Sequence, residues 1–363
     1  MGSGSDRAPS VPAPGGQTVV VTGAAGELGR WVCELAAADP DVARVVALDR
    51  RPLRGLPAGV EPHRVDVAID DLKELFEGAA AVVHLAEPDA PRRGGDLSVP
   101  NGDAAMARHV MDAAGSAGVP HVVLLSSALV YGAWPGNPLP LTEDAPLRPN
   151  PGVALAAEKA EIEQAAAEWR ADHPGSTATL LRPAVIVSSA GNGWLARALS
   201  RSSGVPVTDD EPPAQYLDVA DLAAAVDLAR RSRLDGPRNV APDGWVDGET
   251  VRALAGGVPR PRLPERVAVR ITGLRWRWGM AETPPELLPY ALHPWVVAND
   301  RLVADGWVPA SSNEEAFVGA YRAGPWATMS PRRRQELALG VAGTSFVGVV
   351  AGVVGLVRRR RRA

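Results

Sequence analysis

The sequence predicts an α/β fold in which a doubly wound parallel sheet is covered by helices on both faces. Three observations lead there. From Gln17 onward, short β-branched runs alternate with Ala-rich amphipathic stretches. The runs are continuously apolar instead of alternating in and out, as strands buried on both faces must be. The first run also ends in a glycine-rich turn that opens directly into a helical stretch.

Strands are expected at QTVVVT, ARVVALD, EPHRVDV, AAVVHLA, HVVLLSS and TATLLRPAVIV. Helices fit between them at Glu27 to Ala38, Asp70 to Glu77, Asp103 to Ala117 and Pro151 to Asp172. In the first helix Trp31 and Leu35 are read as packing residues, and Cys33 as core. Beyond Ser188 the alternation loosens, and joints such as TDDEPPAQ and GGVPRPRLP separate shorter elements. Four segments result: a lead at 1–16, a nucleotide-binding core at 17–187, a smaller C-terminal substrate lobe with returning core elements at 188–330, and a basic-flanked tail at 331–363.

The chain has 363 residues and a net charge of −4 that hides an asymmetry. Residues 332–363 hold eight Arg and one Glu, leaving 30 basic and 41 acidic residues elsewhere. An acidic body repels nucleic acid, and no basic, aromatic-interleaved motif offsets it, so no nucleic-acid partner is expected. A lone cysteine and six scattered histidines exclude an intrachain disulfide and any Cys/His metal cluster. The lead, rich in Gly, Ser and Pro with no apolar run, reads as disordered rather than as a signal peptide.

Leu337 to Val357 runs 21 residues without a charge, flanked by Arg332 to Arg334 and Arg358 to Arg362. As a helix it measures about 32 Å, enough to span a bilayer. The expectation is a C-terminal transmembrane helix at the cell membrane, with the soluble body facing the cytoplasm. Five terminal arginines oppose translocation of the tail, so an interfacial helix stays open. Thr344, Gly348 and Gly352 form a small-residue stripe of the kind that pairs such helices into a homodimer.

The chemistry-bearing motifs begin with VTGAAGELGR, where Gly23, Gly26 and Gly29 are spaced by three between strand and helix. Glycine lets the backbone turn tightly and approach a pyrophosphate, which the helix N-terminus then stabilises. Asp49 lies 20 residues beyond Gly29 at the end of the second strand, where a carboxylate accepts from a ribose 2′-OH. This Rossmann-type signature points to NAD; Arg50 and Arg51 beside it are placed to receive a 2′-phosphate, which leaves NADP open.

With these motifs in order, the chain resembles the extended short-chain dehydrogenase/reductase family, the NAD-dependent epimerase/dehydratase group, from Gln17 to about Ala323. TGAAGELG is similar to its cofactor loop, including Leu28. Asp66 and Val67 match its adenine-contacting pair, and VVHLA, with Leu85 and Ala86, its cofactor-lining fourth strand. LLSSALVYG maps the catalytic serine onto Ser127, and EKAEIE maps the catalytic lysine onto Lys159, one of only two lysines in the chain. LLRPAVIV, YLDVADLA and DGWVP match later landmarks.

Two departures stand out. Asp103 replaces a common asparagine, and Leu155 occupies the position of the catalytic tyrosine, four residues before Lys159. In the mechanism that the resemblance implies, the phenol exchanges a proton with the substrate oxygen while hydride passes to or from nicotinamide, and the lysine lowers the phenol's pKa. Leucine cannot do this, which removes an acid/base factor of about 10² to 10⁴. The readings are therefore an epimerase/dehydratase-like oxidoreductase with another proton donor (Glu158, a water on Ser127, or the substrate itself), or a catalytically silent NAD-binding sensor or scaffold tethered to a membrane. The substrate expected is an unidentified small molecule, a nucleotide sugar or a membrane-associated apolar compound. His84 reads as a cofactor-lining or core histidine. Arg270 to Met280, which mixes Arg and Trp, fits either a pocket wall or a membrane interface.

Overall fold

The computed structural model describes residues 16–90, 96–202, 212–254, 263–280 and 283–321. The strands are β1 (Gln17–Thr22), β2 (Val42–Asp49), β3 (Val60–Arg64), β4 (Ala79–His84), β5 (His121–Leu125), β6 (Thr177–Pro183), β7 (Val185–Val187), β8 (Tyr216–Asp218) and β9 (Gly236–Val240). The helices are α1 (Glu27–Ala38), α2 (Lys73–Phe76), α3 (Asp103–Ser116), α4 (Ala154–Asp172), α5 (Trp194–Ser202), α6 (Val219–Arg231), α7 (Gly248–Leu254), α8 (Glu265–Arg277), α9 (Pro289–Leu292), α10 (Asp300–Ala304) and α11 (Asn313–Ala320).

Seven strands form one parallel sheet in the order β3-β2-β1-β4-β5-β6-β9, and β7 pairs with β8 in a small separate sheet. The strand order reverses between β1 and β4, which leaves the crevice where open α/β sheets bind ligands at their C-terminal edge. Side chains on β1 show why both faces needed apolar residues. Val20 packs into a core with Phe76, Met111, Ile162 and Trp169 from α2, α3 and α4. Its neighbours Val19 and Val21 face the opposite core, with Val32 and Cys33 of α1 and Leu222 and Val226 of α6. Burial pushes the Cys33 thiol up to about 12, so it packs and stays protonated.

Several expected elements differ in detail. TATLLRPAVIV is two strands, because after Pro183 the chain leaves the main sheet, with Ala184 N–H bonded to Val240 O, and β7 pairs with β8 instead. The expected helix at 70–77 shrinks to α2, and the last core helix starts at Ala154, after the left-handed Gly152. Trp31 is exposed, while Val32, Cys33 and Ala36 make the buried stripe of α1. Among the described residues no helix is long and apolar enough to cross a membrane. The segment 337–357 lies outside them, as do Thr344, Gly348 and Gly352.

Candidate active site at the sheet switch point

The three glycines of the first turn do different jobs. Gly23 adopts φ +72°, and a Cβ there would lie 2.6 Å from Ala86 N, so the segment that follows β4 packs directly on its backbone. A Cβ on Gly29 would sit 2.3 Å from Gly23 O, which makes it the close-packing contact between helix and turn. Gly26 caps α1 at an ordinary φ of −70°, and a Cβ on it would meet Gly23 O at 3.2 Å and the Arg51 guanidinium at 3.7 Å. Gly26 is thus the glycine on the open side, where the free N–H groups of the first turn, with Leu28 among them, are available to an anion.

Asp49 stands at the end of β2 with both carboxylate oxygens engaged: Ala25 N–H donates to Oδ2 at 3.0 Å, and Arg51 donates through its backbone, Nε and Nη2. Burial works against ionisation of Asp49, but these bonds from Arg51 and Ala25 hold its carboxyl below the usual range. Arg50 is paired with Asp89. Both arginines that the sequence offered to a 2′-phosphate are therefore held by carboxylates. Val65 N–H bonds to Asp49 O, which brings Asp66 and the buried Val67 to the same edge. Leu85 and Ala86 follow β4, and both N–H groups donate to Thr22 Oγ1. The buried His84 meets the same hydroxyl at 2.8 Å through Nδ1, and burial pushes its pKa down to about 3, so the ring is neutral.

A cavity of about 220 Å³ opens beside this edge. Ser127, Leu155 and Lys159 all line it, as do Glu27, Glu87, Asp103, Ile186 and Trp194. Leu155 and Lys159 sit one turn apart on α4, and both side chains face the cavity. Ser127 caps the short 3₁₀ turn Ala128–Tyr131 by accepting from Leu129 N–H.

Lys159 is buried, which rules out a solvated role. Its ammonium lies 2.9 Å from Asp103 and 3.1 Å from Glu87, and donates to Leu125 O at 3.0 Å. Burial would lower its pKa, but the charges of Glu87 and Asp103 outweigh this and hold it above the usual range. Two of these contacts are hydrogen bonds, to Glu87 and Leu125 O, and the third is an ion pair to an Asp103 oxygen that accepts no hydrogen bond, so two carboxylates offset the one cation. The sequence marked Asp103 as a departure without its consequence, and it missed Glu87.

Glu158 is corrected as a proton donor. It does not line the cavity, and its carboxylate accepts both Asn101 N–H and Gly102 N–H at 2.9 Å, ahead of α3. All four tyrosines of the chain lie among the described residues, and none lines the cavity. Tyr131 is bonded to Asn239 and Arg182, Tyr290 to Leu129 O, Tyr321 to Ala196 O, and Tyr216 is buried against Phe317.

Sequence reasoning also missed the support behind the site. Arg182 of β6 makes a buried ion pair with Glu163 of α4, and Glu163 accepts from Ser126 Oγ at 2.5 Å. This ties the serine loop to the helix that carries Lys159. The signal was the i, i+4 placement of Glu163 after Lys159. Across the cavity, Ser188 Oγ donates to Glu27 at 2.6 Å and clasps α1 to the end of β7.

A family model described as the NAD dependent epimerase/dehydratase family matches residues 19–241. An uncharacterised protein of Mycobacterium tuberculosis (strain H37Rv) is 26% identical over 316 residues, 84% of each chain. Among solved structures, UDP-glucose 4-epimerase of Thermus thermophilus in complex with NAD is 22% identical with a TM-score of 0.61. UDP-N-acetylglucosamine 4-epimerase of Methanobrevibacter ruminantium M1, in complex with UDP-N-acetylmuramic acid, is 19% identical with a TM-score of 0.63. Each alignment covers 84% of this chain and 97% of the other, and at these identities the likeness is one of fold.

Proposed function

The chain belongs to the NAD-dependent epimerase/dehydratase family, and from that premise we propose that it binds NAD at the switch point and exposes it to a substrate oxygen in the cavity. The observation carrying this reading is the convergence of Ser127, Leu155 and Lys159 on one cavity beside the Gly26 turn and Asp49. Gly26 leaves room for a pyrophosphate against the α1 N-terminus, and Asp49 is an ionised acceptor for a ribose hydroxyl. Arg50 and Arg51, each held by a carboxylate, favour NAD over NADP. Bound nicotinamide supplies hydride chemistry. Ser127 holds the substrate oxygen, and Leu155 keeps water from it without giving a proton.

The substrate class assigned is a nucleotide sugar, on the analogy of the epimerases of like fold. The apolar wall of Leu155, Ile186, Val187 and Trp194 supports an apolar alcohol as the competitor. A second reading, an NAD-binding protein without turnover, is supported by the pairing of Lys159 with Glu87 and Asp103 together with the missing phenol. Calorimetry with NAD and NADP tests the cofactor assignment, and absence of binding at millimolar concentration overturns it. Absorbance at 340 nm, a property of the reduced cofactor, across sugar nucleotides and apolar alcohols then separates turnover from silent binding.

A further inference from the structure

We propose that α8 is an interfacial helix that docks the body of this protein onto an anionic membrane surface. The helix buries a narrow edge, Ala268, Thr272 and Trp276, spaced by four residues, and packs near the Pro285–Leu287 turn. Facing away from that edge, Val267, Ile271, Leu274 and Trp278 recur at i, i+4, i+7 and i+11. At 3.6 residues per turn they fall within a stripe about 60° wide. They are 41%, 42%, 54% and 70% exposed, so the stripe is uncovered by any described residue along its whole length. A single exposed leucine needs no explanation, but a continuous apolar ridge does.

What flanks the ridge identifies its occupant. Arg275 projects on one side of it, about 70° from its centre, and Arg270, Arg277 and Arg266 on the other, about 70 to 110° away. All four are exposed, and among the described residues none is ion-paired. An apolar strip with arginines along both borders and a tryptophan at its end matches the headgroup boundary: the strip enters the acyl edge while guanidinium groups stay at the phosphates. The basic border is local, since the chain outside residues 332–363 carries 41 acidic residues against 30 basic. The uncharged Leu337 to Val357, flanked by arginines, is the segment of this same chain suited to hold the body at a bilayer. Held there, α8 has only to orient the body, and one helix with four arginines suffices. This resolves the two options for Arg270 to Met280: α8 is a surface ridge and no residue of it lines the cavity.

The test uses the full-length protein carrying Leu274→Cys, labelled with an environment-sensitive fluorophore; the native Cys33 is buried and escapes labelling. On phosphatidylcholine vesicles containing phosphatidylglycerol, the label shifts to the blue and is quenched by lipid-chain quenchers. On phosphatidylcholine alone the shift is reduced. Each single Arg→Gln among 266, 270, 275 and 277 lowers the ratio of inserted to water-exposed label about fivefold. A label that stays open to aqueous iodide on vesicle-bound protein overturns the proposal. So does protection without lipid: if it grows with protein concentration the ridge is covered by a second copy, and if it does not, by another segment of this chain.

Discussion

Replacing Leu155 by tyrosine restores the missing phenol, but the structure says that this alone recovers only part of the chemistry. In the family pattern a lysine cation lowers the phenol's pKa, whereas here Lys159 is neutralised by Asp103 at 2.9 Å and Glu87 at 3.1 Å. A side chain at 155 lies one turn from Lys159, about 6 Å away, so its phenolate would stand about 6 to 8 Å from the Asp103 carboxylate. At an effective dielectric constant of about 20, that repulsion is about 2 to 3 kcal/mol, or about 1.5 to 2 pKa units in the wrong direction. Asp103→Asn removes that repulsion and one of the two carboxylate charges that offset the ammonium. The double variant Leu155→Tyr/Asp103→Asn is therefore expected to exceed Leu155→Tyr by about 10- to 100-fold in hydride transfer. The full general acid/base gain of about 10² to 10⁴ over the parent is reached only in the double. Asp103→Asn alone, with no phenol to act through, changes turnover by less than a factor of a few. The assay is cofactor absorbance with a substrate taken from the sugar-nucleotide and alcohol panel, with circular dichroism and NAD affinity confirming that each variant folds and loads. Equal gains from the single and double variants would show that the carboxylates do not quench Lys159, and the electrostatic reasoning fails.

Gly23→Ala is expected to lower stability by at least about 2 kcal/mol, because it combines a left-handed φ with a 2.6 Å approach to the backbone of Leu85 and Ala86. Gly26→Ala costs under about 1 kcal/mol yet weakens NAD binding about tenfold or more; urea denaturation beside calorimetry separates the two, and equal stability losses would contradict the division of labour. Asp49→Ala weakens NAD by about tenfold or more while NADP loses less, since Arg51 is released; parallel losses for both cofactors in calorimetry would remove Asp49 from the ribose site. Burial holds the buried His84 and His121 down to about 3 and about 4 in the fold, against 6.5 unfolded. The unfolded chain then binds more protons below pH 6.5, so stability falls as pH drops, by about 4 kcal/mol between pH 7 and pH 5 for the pair. His121→Gln halves that fall, and a urea midpoint that does not move between these pH values refutes it.

The sequence alone determined the sheet, the nucleotide edge and the oddity at Leu155, because these rest on local signals. Continuous apolar runs make buried strands, a strand followed by spaced glycines and a helix makes a phosphate turn, and i, i+4 spacing puts Leu155 and Lys159 on one face of α4. The position of Asp49 at the end of β2 likewise followed from its distance along the chain. Only the tertiary structure decided what those residues are doing. Glu87, Asp103 and Leu125 come from three separate places in the chain and meet on one ammonium, and no periodicity marks three residues that become neighbours only when β4, α3 and β5 line up. The same applies to Glu158, which reads as a proton donor beside the lysine until the loop before α3 takes both its oxygens. It applies equally to α8, whose apolar spacing fits a buried helix. Whether such a stripe faces a core or water depends on which neighbours the fold brings to it, and here the packed edge is the other one.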